Sequence, residues 1–128
     1  MNDLLGKEVA VSTETYNKLV RDKIPDIIRG DGQIPHTRLL TDFRERDAAL
    51  RQKLFEESRE VVDASSVRNL ITEIADVLDA ANDLMKLHHI GAVTVERERL
   101  KRRRERGGFD NFVFLESIET SEESDGQR

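Results

Sequence analysis

The chain has 128 residues and a mass of 14.7 kDa, one domain's worth of protein. Its 21 Lys and Arg against 26 Asp and Glu leave a formal net charge of -5, and hydrophobic and charged residues each make up 37%. That composition is polar but foldable, and apolar runs of only a few residues exclude a membrane-spanning helix. The lack of cysteine excludes disulfides, thiolate zinc sites and thiol nucleophiles. Only His36, His88 and His89 could supply imidazole ligands, so any metal must rest mainly on carboxylates.

Met1 to Ala10 holds no apolar stretch of signal-peptide length, and the expectation is a soluble, cytoplasmic chain. Residues 1–15 form a poorly specified extension. Tyr16 to Lys23 reads as a helical turn or two, and Ile24-Pro25 as a break, because the residue before proline avoids the α region. Gly30-Asp31-Gly32 reads as a turn. Asp42 followed by Glu45 resembles a capping box, and Leu50, Leu54, Phe55, Val61 and Val62 then fall on one helical stripe. Ser65 and Ser66 break that helix and can cap the next. The second helix runs to about His89, with Leu70, Ile71, Ile74, Val77, Leu78, Ala81, Leu84 and Met85 on one broad face. Gly91 is expected to stop it, with His88 and His89 in a capping role. A short basic helix follows from about Thr94 to Arg106, stopped by Gly107-Gly108. Phe109, Phe112 and Phe114 are expected to close the core or form a subunit contact. The tail, 119–128, is acidic and Ser-rich, and is expected to be disordered. The architecture is therefore all-α, a helical bundle over 16–118.

Charge is unevenly spread. Glu56 to Asp83 holds eight acids and only two bases, Arg59 and Arg68, whereas Arg97 to Arg106 holds seven bases and two acids. At 100° per residue, Glu57 and Glu60 sit 60° apart on the shoulder of the first long helix, and Glu73 and Asp76 do the same on the second. Folding the helices together at Ser65-Ser66 puts Glu60 roughly 8 Å and Glu73 roughly 10 Å from the turn. Glu57 and Asp76 then lie roughly 12 and 15 Å from it. Four carboxylates meeting beside an apolar seam repel one another unless a cation sits among them, and Mg²⁺ prefers such hard oxygens. Solvated acidic faces, partly neutralised by Lys53 and Arg59, are the alternative.

Lys18, Arg21 and Lys23 flank Leu19-Val20 and are either phosphate contacts or ordinary surface charge. Lys101 to Arg106, with Arg104 among them, can clamp phosphates, form a solvated helix end or meet nucleic acid. The last is disfavoured by the overall acidity and the lack of interleaved aromatics. Asn82 contacts a base or sugar, or is simply solvated. Asp79 and Asp83 read as second-rank acids or surface residues.

Glu56-Glu57-x-x-Glu60, twelve residues, then Glu73-x-x-Asp76 resembles the signature of the all-α nucleoside-triphosphate pyrophosphohydrolases, the MazG-like superfamily. Asn17-Lys18-Leu19-Val20-Arg21-Asp22-Lys23-Ile24-Pro25 is similar to the opening of its phosphoribosyl-ATP pyrophosphohydrolase-like members. Lys101 with Arg106-Gly107-Gly108-Phe109 is similar to their closing motif, although Lys101 to Arg104 is more basic than expected. The resemblance spans Tyr16 to Leu115. It implies Mg²⁺-dependent cleavage (with Mn²⁺ as a possible substitute) between the α and β phosphates of a nucleotide, by a homodimer or homotetramer. It also implies Glu57, Glu60, Glu73 and Asp76 as metal ligands, with Glu56 and Glu57 as the catalytic carboxylates. Lys18, Arg21, Lys23, Asn82, Lys101, Arg104 and Arg106 are the expected substrate contacts. A helical interaction protein, or a nucleotide-binding module with poor turnover, fits the same composition.

Overall fold

Four helices, and no strand, make up the regular structure of residues 10–122, the part that the computed structural model describes. They are α1 (Ile24–Gly30), α2 (Phe43–Asp63), α3 (Val67–Leu87) and α4 (Ala92–Arg106). No helix among the described residues is long and apolar enough to cross a membrane. The chain divides into two compact units, one ending at Ile90 and the other beginning at Gly91. Much of the expected N-terminal extension and acidic tail lies outside the described residues.

In the first unit, Tyr16 to Lys23 is not helical, and α1 starts beyond it with Pro25 in its first turn. The expected break is a helix start, because a proline there lacks only an N–H that the first turn leaves unpaired anyway. Gly32, at φ 81°, closes α1 by donating to Arg29 O while Gln33 N reaches Ile28 O. That pair of bonds is a Schellman ending with glycine in the left-handed position.

Helices α2 and α3 form the body of this unit. Asp42 caps α2 through Glu45 N at 3.1 Å. The reciprocal half of a capping box is missing, since the Glu45 carboxylate is held by Arg38 at 2.9 and 2.7 Å. A three-residue link, Ala64 to Ser66, leads to α3, where Ser66 Oγ accepts from Asn69 N at 3.1 Å. The two helices pack antiparallel, placing Asp47 opposite His88 and Glu57 opposite Asp76.

The seam between them is thin. Ala80, 5% exposed, is the one buried residue among the described residues, and no side chain there is fully buried. Leu50, Leu54, Val61, Val77, Ala81, Leu84 and Met85 are half-buried. Phe55, Val62, Leu70, Ile71, Ile74 and Leu78 stay exposed, so the apolar faces are wider than the contact between the helices.

The end of α3 differs from expectation. Gly91 sits at φ -75° as the N-cap of α4, and the left-handed residue is His89, at φ 55°. His89 N to Lys86 O at 3.1 Å and Ile90 N to Met85 O at 2.9 Å make another Schellman ending. The turn needs a left-handed residue two places after the last helical one, and that register selects His89 although glycine stands nearby.

The second unit contains α4, which starts two residues before Thr94 and stops at Gly107, φ 84°. Phe109, Phe112 and Phe114 follow outside any helix, each at least 86% exposed. They therefore close no core among the described residues.

Candidate metal centre

Glu57 on α2 and Glu73 and Asp76 on α3 each offer a carboxylate oxygen within 4.8 Å of the others. Antiparallel packing brings them level, and their half-buried positions place them in the seam rather than on open faces. The Glu57 side chain is 13% exposed and that of Asp76 28%. Glu60, the fourth expected ligand, is exposed and stands outside the group. Three residues along a helix amount to 300° of rotation, so with Glu57 in the seam Glu60 turns about 60° out of it.

Two of the three carboxylates carry protein cations. Lys53 Nζ lies 3.1 Å from Glu57 and 3.9 Å from Glu56. Arg21 reaches across 55 residues of sequence to donate from Nη2 to Asp76 Oδ1 at 2.8 Å, while its Nη1 donates to Asp79 Oδ2 at 2.6 Å. Glu73 has no ion pair among the described residues. Partial burial first, and then the charges of Asp76, Glu60 and Glu57, push its carboxyl above the ordinary range. The cluster is thus short of positive charge at Glu73.

A cavity of about 390 Å³ opens beside the cluster, within the range of small-molecule sites. Leu19, Val20, Arg21 and Asp22 form one wall, and Arg46, Leu50, Lys53 and Glu57 of α2 another. Asp76, Asp79, Ala80 and Asp83 of α3 complete it. Helical spacing explains the third wall, because positions i, i+3, i+4 and i+7 share a face.

The other expected contacts are placed as follows. Lys18 Nζ lies 5.5 Å from the centre of the Tyr16 ring, a cation–π approach, and is not among the residues that line the cavity. Lys23 is exposed at the N-cap of α1, and Asn82 is exposed outside the cavity lining. Lys101, Arg104 and Arg106 lie on α4 in the second unit, with Lys101 4.0 Å from Glu105. Of the expected bases near the N-terminus, Arg21 alone lines the cavity.

Lys53, expected only to neutralise part of the acidic face, enters the site itself, as its i, i+4 spacing from Glu57 allows. One relationship was not legible beforehand. His88 Nε2 lies 2.6 Å from Asp47 Oδ1, and its ring meets Phe43 edge-on at 5.2 Å. His88 thus joins α3 to α2 as well as standing at the C-cap of α3.

Compared with known proteins, the chain finds no significant match among protein-family models, curated proteins or solved structures.

Proposed function

We propose that this chain is a divalent-cation-dependent nucleotide pyrophosphohydrolase of the MazG-like, all-α kind. It would cleave a nucleoside triphosphate or a related nucleotide, phosphoribosyl-ATP included, between the α and β phosphates to release the monophosphate and pyrophosphate. The observation that carries this reading is the convergence of Glu57, Glu73 and Asp76 from two helices beside a cavity that Arg21 and Lys53 also line. Three hard carboxylate oxygens suit Mg²⁺, which keeps several positions for water or phosphate.

Bound there, Mg²⁺ would neutralise phosphate oxygens and lower the pKa of an attacking water. The chain's own residues take the remaining tasks. Glu57, Glu73 and Asp76 hold the ion, with Glu60 adding negative charge from outside the group. Glu56 or Glu57 takes the proton of the water. Arg21 and Lys53, both in the cavity wall, would bind phosphate oxygens, and Leu19, Val20 and Leu50 would give an apolar wall against a nucleoside. No protein nucleophile is needed.

Assembly is part of the same reading. A seam with one buried residue among the described residues leaves Ile71, Ile74 and Leu78 exposed on α3, and a second copy covering them would supply the burial that a small domain needs. The same exposed residues favour a second reading, a helical interaction protein whose acids hold no metal.

Product analysis separates the readings. The protein is incubated with a panel of NTPs, dNTPs and phosphoribosyl-ATP, in Mg²⁺ or in EDTA. Metal-dependent release of monophosphate and pyrophosphate is the expected result. Release of diphosphate and phosphate would move cleavage to another bond. No turnover, with no melting shift from metal or nucleotide, would leave the interaction protein.

A further inference from the structure

We propose that Arg21 and Lys53 occupy two of the metal-binding carboxylates as internal counter-ions, and that a divalent cation displaces them toward anionic oxygens in the cavity, coupling metal binding to phosphate binding. This inference rests on the metal-ligand reading above and adds a regulatory step to it.

The geometry is specific. Lys53 Nζ is 3.1 Å from Glu57, and Arg21 Nη2 is 2.8 Å from Asp76 Oδ1. Both cations belong to the wall of the same cavity as the carboxylates that they hold. A divalent ion ligated by Glu57 and Asp76 would neutralise the charges that retain these side chains and would repel both cations at short range. Neither head could travel far. Lys53 is a half-buried residue of α2, and Arg21 is tethered by its second bond, from Nη1 to Asp79 at 2.6 Å. Displaced by a few ångströms, an ammonium and a guanidinium would face the cavity, where phosphate oxygens are the complementary charge. Linkage then requires reciprocity: metal tightens phosphate binding, and phosphate tightens metal binding.

The opposite arrangement makes a different prediction. If Arg21 and Lys53 only orient Asp76 and Glu57 for the ion, removing either would weaken metal binding, as loss of an outer hydrogen bond usually does. Calorimetric titration of the full chain with Mg²⁺ distinguishes the two. Exchange predicts that Lys53→Met and Arg21→Met each bind Mg²⁺ about fivefold more tightly than the parent, or better. In a second titration, with inorganic phosphate at saturating Mg²⁺, both variants lose most of the gain that Mg²⁺ gives the parent.

Unchanged or weaker Mg²⁺ binding in the variants, with normal binding in the parent, overturns the exchange and leaves the metal site standing. No Mg²⁺ binding by the parent overturns the metal site and the exchange together. Lys53→Met keeps the tether between Arg21 and α3, so it reads the competition even if Arg21→Met does not fold.

Discussion

His88 Nε2 and Asp47 Oδ1 meet at 2.6 Å, joining the C-terminal end of α3 to the first turns of α2. Arg51 Nε donates to the same carboxylate at 3.0 and 3.1 Å. The hydrogen bond from His88, and then that from Arg51, hold the Asp47 carboxyl below its ordinary range. A lowered folded pKa contributes stability above the unfolded value, about 3.9 for Asp. That contribution is lost as pH falls through the lower, folded value. Circular-dichroism melts from pH 2.5 to 7 should show the parent losing stability below about pH 4. Asp47→Asn should melt a few degrees lower at pH 7 and lose less on acidification. Equal acid sensitivity in both would show that Asp47 carries no such linkage.

Glu73 predicts effects of opposite sign with and without metal. Its folded pKa is raised, so its contribution to stability is full below the unfolded value and is lost as pH rises through the folded one. In EDTA at pH 7, Glu73→Gln should therefore melt higher than the parent. With Mg²⁺ at a hundred times its Kd, the parent should gain about 2.7 kcal/mol, or roughly 10 °C, and Glu73→Gln little. Differential scanning fluorimetry reads both arms. A variant that follows the parent in Mg²⁺ would remove Glu73 from the site.

Backbone conformation gives a test independent of any ligand. His89 ends α3 at φ 55°, a region where a Cβ costs roughly 1–2 kcal/mol and where glycine is the usual occupant. His89→Gly should raise stability in urea unfolding by about 0.5–1 kcal/mol, part of the relief being offset by a freer unfolded chain. A loss of stability would mean that the His89 side chain contributes more than its backbone costs.

The exposed face of α3 predicts assembly. Ile71 and Leu78 are i, i+7 neighbours on one side of the helix, 65% and 60% exposed. Light scattering after gel filtration should find the parent larger than 14.7 kDa. Ile71→Lys with Leu78→Lys should shift it toward the single-chain mass. A parent already at that mass would send this face to another partner.

How the helices begin and end shows what could be read locally. Asp42, Ser66 and Gly107 act where expected, because a cap is a bond between near neighbours in sequence. Pro25 and Gly91 were misread for a related reason: each suits a helix start as well as a stop, and the register of the turn decides. The carboxylate spacing was legible too, because helical rotation fixes which residues share a side. Its limit was Glu60, whose 60° offset matters only once Glu57 has been turned into the seam.

The sequence by itself determined α2, α3 and α4, the short link between α2 and α3 and therefore the meeting of Glu57 with Glu73 and Asp76, but not α1, which lies beyond the helical turn expected at Tyr16 to Lys23. These follow from periodicity and from the reach of a three-residue connection. Only the tertiary structure decided that Arg21 would hold Asp76 and Asp79, that Lys53 would face the cavity and that His88 would close on Asp47. Arg21 and His88 reach partners 55 and 41 residues away. Such pairings depend on how far each helix is rotated about its axis, and no local rule of spacing or capping sets that angle.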